Sequence, residues 1–340
     1  MTEAPAPAAA PAPSPRRRVG AAVTGPPRLA RAEVLRLRSR RLVIGLLALG
    51  FAVLLLVTGI AFTQHARPTA ADLAAARTAQ QVQIADCQAH VVGPSGASDQ
   101  ACAGIPLDAF LPHSPFLATQ GLPAGATAVA GGFAVLLLLV GLTTGGADWS
   151  AHTLTVLFTW EPRRARVVLT RAGVLLGLAV LLGVTAQVVW TGLGALLATS
   201  RGTWGLPSGF WPQLLGIQAR GVLLGVLTVT AGYCLALLVR NTGAALGIAF
   251  VYLAIVENAL RGFLPATRPY LLAENIAGLL TPGGITIPMP SRTPGPVGVF
   301  STSTLTVVHL SNLRAGGWLA LGVIALLALA TEITRRRDLT

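Results

Sequence analysis

No lysine occurs anywhere in the 340 residues, so all 25 basic side chains are arginine. A P-loop ATPase needs a lysine on the nucleotide phosphates, and that route to ATP hydrolysis is closed to this chain. Acids are scarce, 12 against the 25 arginines, and charged residues amount to 11% of the sequence. There are only three cysteines, and the five histidines are scattered at positions 65, 90, 113, 152 and 309. Neither set has a recognisable metal-ligand spacing, and no HExxH or GxSxG motif is present. The expectation is a protein that is not itself an enzyme and holds no metal or cofactor of its own. The net charge of +13 raises nucleic acid as a partner. Such a face needs a soluble domain, however, and no apolar-poor stretch is large enough to build one, so no nucleic-acid partner is expected.

What the chain has in abundance is apolar sequence: 53% of residues are hydrophobic and the mean hydropathy is +0.67. The apolar residues cluster in runs near 42–62, 126–145, 172–198, 213–239, 243–260 and 315–333. At 1.5 Å per residue, each crosses about 30 Å of hydrocarbon. The fold class expected is therefore an all-α membrane protein with six transmembrane helices occupying 42–334. Before them come a Pro/Ala-rich tail over 1–26, too poor in apolar residues for a core, and an arginine-rich segment over 27–41. That segment is expected to lie along the membrane surface as a helix, with Pro27 at its start. A short basic tail, 335–340, closes the sequence.

Arginine asymmetry sets the orientation. The segments before the first run, between the second and third, between the fourth and fifth, and after the sixth are dense in arginine. The longer alternate segments, 63–125 and 261–314, are sparse. By the positive-inside rule both termini are expected on the cytoplasmic side of a cell membrane. The outer 63–125 loop begins with a helix-forming stretch, TAADLAAARTAQQVQIADC, and contains Cys87 and Cys102. In an oxidising compartment these are expected to be bridged, which contributes roughly 3 kcal/mol for a loop of this size; two unpaired thiols are the alternative. Cys234, inside the fourth run, reads as a small packing residue. Within 261–314 the apolar stretch 269–280 is too short to span, and it is either a re-entrant helix or a surface loop. The clear acid within a span is Glu257. It is expected to pair with Arg261 one turn later at an interfacial helix end; a proton relay is the other reading.

The segment GADWSAHTLTVLFTWEPRRARVVLTRAG, residues 146–173, lies between the second and third runs. Asp148 is expected to N-cap a short helix ending near Trp160, and Pro162 disfavours helix at Glu161. On that helix Trp149, Thr153, Val156, Leu157 and Trp160 share a face. The indoles suit a headgroup zone, and Arg163, Arg164 and Arg166 suit anionic lipid or an acidic partner; an ordinary topology-setting loop has the same composition.

This loop resembles that of the membrane subunit of ABC-2 type exporters, in the form seen in high-GC Gram-positive bacteria. Asp148 stands at the acidic position, Thr153 at the threonine, Leu154 and Leu157 in the turn, Pro162 and Arg164 at the proline and arginine, and Arg171 at the last basic position. His152 replaces a frequent glycine and Arg171 a frequent lysine. The layout is similar as well: a basic helix before the first span, six spans, and broken apolar segments between the fifth and sixth. The resemblance implies a half-transporter of the type V exporter kind, with an extracytoplasmic loop domain after its first span. It implies a coupling loop over 146–171 with Asp148, Trp149, Thr153, Leu157, Trp160, Glu161, Arg163, Arg164 and Arg166 facing a separate ATPase subunit, which binds ATP and Mg. A second permease copy or paralogue would complete the pathway. A non-transporting sensory or assembly subunit, or a secondary transporter, would have the same topology.

Overall fold

A computed structural model describes residues 26–90, 102, 104–150, 163–291 and 304–336. Among them are six helices long and apolar enough to cross a membrane, and the chain is an all-α, multi-pass membrane protein. The spans are Arg41–Gln64, Ala118–Ala147, Arg164–Arg201, Phe210–Val239, Thr242–Phe263 and Asn312–Arg336, called spans 1 to 6. The helix of span 2 continues to Ser150. One end of the bundle gathers the arginine-rich segments, and the opposite end holds the two long connections.

Among the described residues, spans 2 and 4 make the most extensive contact. The cause is a pair of glycine-rich faces. A Cβ on Gly141 would stand 2.2 Å from the Val229 carbonyl oxygen, one on Gly145 would stand 2.8 Å from that of Tyr233, and one on Gly232 2.5 Å from that of Leu138. Without a hydrophobic force between helices in lipid, close backbone approach of this kind is what holds spans together. Span 3 packs on both, so 56% of the apolar window of span 4 is buried, against 11% of that of span 5. Spans 1, 5 and 6 are peripheral.

Helix α1 (Pro26–Ser39) precedes span 1 and packs on span 3. At the opposite end α2 (Ala70–His90) opens with a capping box: the Thr69 N–H and hydroxyl both donate to Asp72 Oδ2, at 2.9 and 2.7 Å, and the Asp72 N–H returns a bond to Thr69 Oγ1. These bonds hold the exposed Asp72 carboxyl below its ordinary pKa. Cys87 and Cys102 are joined by a disulfide. Two short parallel strands, β1 (Phe116–Leu117) and β2 (Gly202–Thr203), tie the entry of span 2 to the exit of span 3. Between spans 5 and 6 the chain forms a turn of 3-10 helix over Pro265–Tyr270, then α3 (Leu272–Leu280). The antiparallel hairpin β3 (Ile285–Ser291) and β4 (Thr304–Leu310) follows, its register pairing Ile285 with Leu310. The stretch expected at 269–280 is thus a nine-residue helix.

Three expectations are corrected here. Span 3 begins at Arg164, eight residues before the expected start, because no breaker separates Arg164 from the apolar run. Span 2 begins before Pro123, whose missing N–H near the helix start costs one hydrogen bond and is tolerated. Asp148 does not cap a new helix: its backbone lies in the last turn of the helix of span 2, which runs unbroken to Ser150.

Candidate functional site

At the arginine-rich end, α1 presents Leu29, Glu33, Arg36 and Leu37 on its partly buried face, with Arg40 just after it, while Val34 and Leu35 are exposed. Glu33 is the single acid of this helix. Its Oε1 accepts a 2.8 Å hydrogen bond from Arg171 Nε on span 3 and lies 3.9 Å from an Arg36 nitrogen. The Arg171 side chain is 5% exposed, so the pair is shielded from water. Thr144 of span 2 and Tyr233 of span 4 line the same small void as this pair. Charge-assisted bonds in such surroundings are the strong ones, and breaking one leaves an uncompensated buried charge. The surface helix is therefore clamped to span 3.

A second tie lies close by. Trp149, in the last turn of the helix of span 2, packs against the core cluster that includes Val140 and Tyr233, and the Arg240 guanidinium sits 4.3 Å from its ring centroid. Arg240 ends span 4 with φ of 59°, a left-handed conformation that favours glycine. Asn241 then caps span 5 by accepting from the Ala244 N–H at 3.0 Å. The hairpin between spans 4 and 5 is thus fixed by a strained arginine whose side chain grips the end of span 2.

These two ties bracket residues 151–162. Thr153, Leu157, Trp160 and Glu161 lie outside the described residues, as does the side chain of Asp148. Arg163 N-caps span 3 and Arg164 and Arg166 fall in its first turn. Cations at a helix N-terminus oppose the helix dipole, so local helix stability does not explain them. Trp149 is partly buried, with its ring nitrogen shielded, and the residues expected to share its face lie outside the described residues.

At the opposite end, Glu257 is 2% exposed and, among the described residues, pairs with neither Arg261 nor any other arginine. Its Oε1 accepts the Ala273 N–H at 2.5 Å, capping the first turn of α3. Arg261 instead lies 3.4 Å from Glu274, which Arg268 also holds at 3.1 Å. The expected Glu257–Arg261 pair fails because α3 folds back and offers each a better partner. Glu257 directly follows a π-helical turn, Tyr252–Val256, an irregularity frequent at functional positions. From span 6, Asn312 donates to the carbonyls of Gly278 and Leu279, at 2.7 and 3.1 Å, and the Trp318 ring N–H donates to Tyr270 O. The helix α3 is thereby latched between spans 5 and 6. Glu257→Ala is expected to lower hydrogen-exchange protection across 272–280 about tenfold, while Glu257→Gln, which keeps an acceptor, leaves most of it. Equal exchange in both variants and the native protein would refute the latch.

Two residues were not legible as site residues beforehand. Glu33 was hidden among arginines, its lone acidity being the available signal. Arg220 falls within the fourth apolar run and stands ten residues into span 4, roughly 15 Å along the helix, well past the aromatic belt marked by Trp204 and Trp211. Its Nε is buried without a hydrogen bond. Nearby in the chain, Gln218 donates to Thr191 of span 3, while Gln187 donates to the Ala126 carbonyl and leaves its own buried oxygen unpaired. An ionisable group at this depth is a candidate functional residue. Arg220→Leu is expected to leave apparent Tm in detergent unchanged or raised; a marked fall would show that Arg220 is structural.

Among the described residues no three His, Cys, Asp or Glu side chains are grouped to hold a metal ion. No protein-family model and no curated protein matches the chain.

Proposed function

We propose that this chain is the membrane-embedded subunit of an ATP-driven exporter of the ABC-2 type, energised by a separate ATPase polypeptide. The observation that supports this most directly is the construction of the arginine-rich end. The 146–171 segment, with its resemblance to an ABC-2 coupling loop, joins two helix ends that are each tied to a neighbour. Trp149 is held by Arg240, and Arg171 by Glu33.

In this reading the arginine-rich end is cytoplasmic, and residues 151–162 sit in a groove of the ATPase. When two ATPases close on ATP and Mg, the displaced loop moves the ends of spans 2 and 3. The Glu33–Arg171 pair carries that movement into α1, and the Trp149–Arg240 contact carries it into the turn between spans 4 and 5. Coupling of this kind needs an element with two arrangements biased by the nucleotide state. Two six-span subunits, identical or paralogous, form the pathway. The latched helix α3 closes it on the far side, and Arg220 favours an amphiphile bearing negative charge over a neutral one.

The chain's thiols make a labelling test simple, since Cys87 and Cys102 are bridged and Cys234 is buried. With Thr155→Cys in inside-out vesicles from the native host, the introduced thiol should resist a membrane-impermeant maleimide. It should become reactive once peripheral proteins are stripped by alkaline washing. Full reactivity before stripping means that nothing covers the loop, and the exporter reading fails.

A further inference from the structure

A cavity of about 510 Å3 lies between spans 4 and 6 beneath α3. Leu224, Leu227 and Ala231 of span 4 form one wall, Trp318 of span 6 stands in the other, and Ile276 of α3 is part of the cover. Two side chains of the lining carry polar atoms, and both are committed elsewhere. The Thr228 hydroxyl donates to the Gly225 carbonyl within its own helix, and the Trp318 ring N–H donates to Tyr270 O. The interior is therefore apolar, and its volume falls in the range of about 300–1,000 Å3 where ligand pockets lie.

Arg220 is not part of this wall, but it stands on the same stripe of span 4. Leu224, Leu227 and Ala231 follow it by four, seven and eleven residues, the spacing of one helix face. From Arg220 to Ala231 that face runs roughly 16 Å, about half the thickness of the hydrocarbon. The Arg220 Nε is buried without a hydrogen bond, and among the described residues no ion pair joins this side chain to a carboxylate. Gln218, two residues earlier, is turned to Thr191 of span 3 and leaves Arg220 unassisted. A guanidinium Nε and its neighbouring Nη form a planar fork that a carboxylate fills with two parallel bonds.

One cation with an unfilled fork, followed along the same face by an apolar cavity, selects its ligand by charge at one end and by length at the other. We propose that span 4, span 6 and α3 form a binding site for one single-chain anionic amphiphile, a long-chain fatty acid as its carboxylate. The carboxylate sits on Arg220 and the alkyl chain runs beneath α3 toward Ala231. A lone cation in such surroundings is costly, and the bound anion removes that cost. Naming this ligand as cargo rests on the exporter reading, whereas its binding needs no ATPase and is measured without one.

The test is a scintillation-proximity assay of tritiated palmitate on the delipidated full-length protein in mild detergent, in a buffer alkaline enough to keep palmitate ionised. The competitors are unlabelled palmitate, hexadecanol as its neutral counterpart, and phosphatidylglycerol as a two-chain anion. One palmitate should bind per chain, and hexadecanol should compete about tenfold less well, the difference expected for a bond to a charged group. Arg220→Leu should erase that difference. Gly322→Leu adds bulk to the cavity wall where a Cβ meets nothing within 4 Å, and it should weaken palmitate and hexadecanol alike with Arg220 kept. Should the glycine variant not fold, the native protein and Arg220→Leu decide alone. Equal competition by hexadecanol and palmitate in the native protein overturns the proposal, as does a difference that survives Arg220→Leu, or native affinity in a folded Gly322→Leu. Phosphatidylglycerol displacing palmitate at equal concentration would assign the cavity to membrane phospholipid and overturn it too. A failure here leaves the exporter reading standing, and a missing ATPase leaves this site standing.

Discussion

Glu33→Ala is expected to destabilise the protein more than Arg171→Ala, although the two residues form one ion pair. Removing Arg171 leaves the Glu33 carboxylate with Arg36 still 3.9 Å away. Removing Glu33 takes away the one carboxylate that, among the described residues, lines the small void shared by Arg171, Arg36 and Arg40. Breaking a buried pair costs roughly 3–5 kcal/mol; since Glu33 is partly exposed, a loss of roughly 3 kcal/mol for Glu33→Ala and about half that for Arg171→Ala is expected. Paired replacement by Glu33→Leu and Arg171→Met should cost less than Glu33→Ala alone, because no charge is left stranded. Apparent Tm of the purified protein checks the order. Arg171→Ala proving the more damaging would mean that the guanidinium is held by other groups and that Glu33 is incidental.

Gly141→Ala is the second large effect. In a helix interior, glycine to alanine gains about 1 kcal/mol of propensity. At Gly141 that gain is outweighed, because the added Cβ would stand 2.2 Å from Val229 O and 2.8 Å from Tyr233 N. Both are backbone atoms of a packed helix and have no rotamer by which to move away. Overpacking costs of roughly 1–3 kcal/mol then dominate, and spans 2 and 4 must part. Gly177 in span 3, where a Cβ meets nothing within 4 Å, is the control: Gly177→Ala should be neutral or stabilising. The measurement is monodispersity and apparent Tm of both variants. Identical behaviour would mean that the bundle does not depend on the span 2–span 4 contact.

Much of the fold could be read from local pattern. The six spans were visible because a long apolar run has few alternatives to crossing a bilayer as a helix. The short connection between spans 4 and 5 was visible because Arg240, Asn241 and Thr242 alone separate two runs. Contacts that close over long sequence separations left no such trace. Arg171 and Glu33 are 138 residues apart, and nothing in either neighbourhood announces the other. Glu257 has a cation four residues on, which invited a local pairing. The helix α3, sixteen residues away, supplies a backbone N–H instead. Asp148 was placed at a helix start because it precedes an amphipathic stretch, whereas the preceding helix continues through it to Ser150. Arg220 was missed for a different reason: it falls inside the fourth apolar run, and a single arginine within such a run does not stand out from the run itself.

Within the segment whose sequence suggested an exporter, 146–171, residues 151–162 lie outside the described residues, while the ties on either side of them are in place. The decisive measurement is an affinity pull-down of the tagged full-length protein from mild-detergent extracts of its native host, with mass spectrometry for associated P-loop ATPases. The exporter reading predicts a stoichiometric ATPase that is lost when 151–162 is scrambled while the variant still inserts and folds. A correctly inserted native protein that repeatedly brings down no ATPase would contradict it. The disulfide-bridged segment at the opposite end would then be the place to look for a sensory or assembly role.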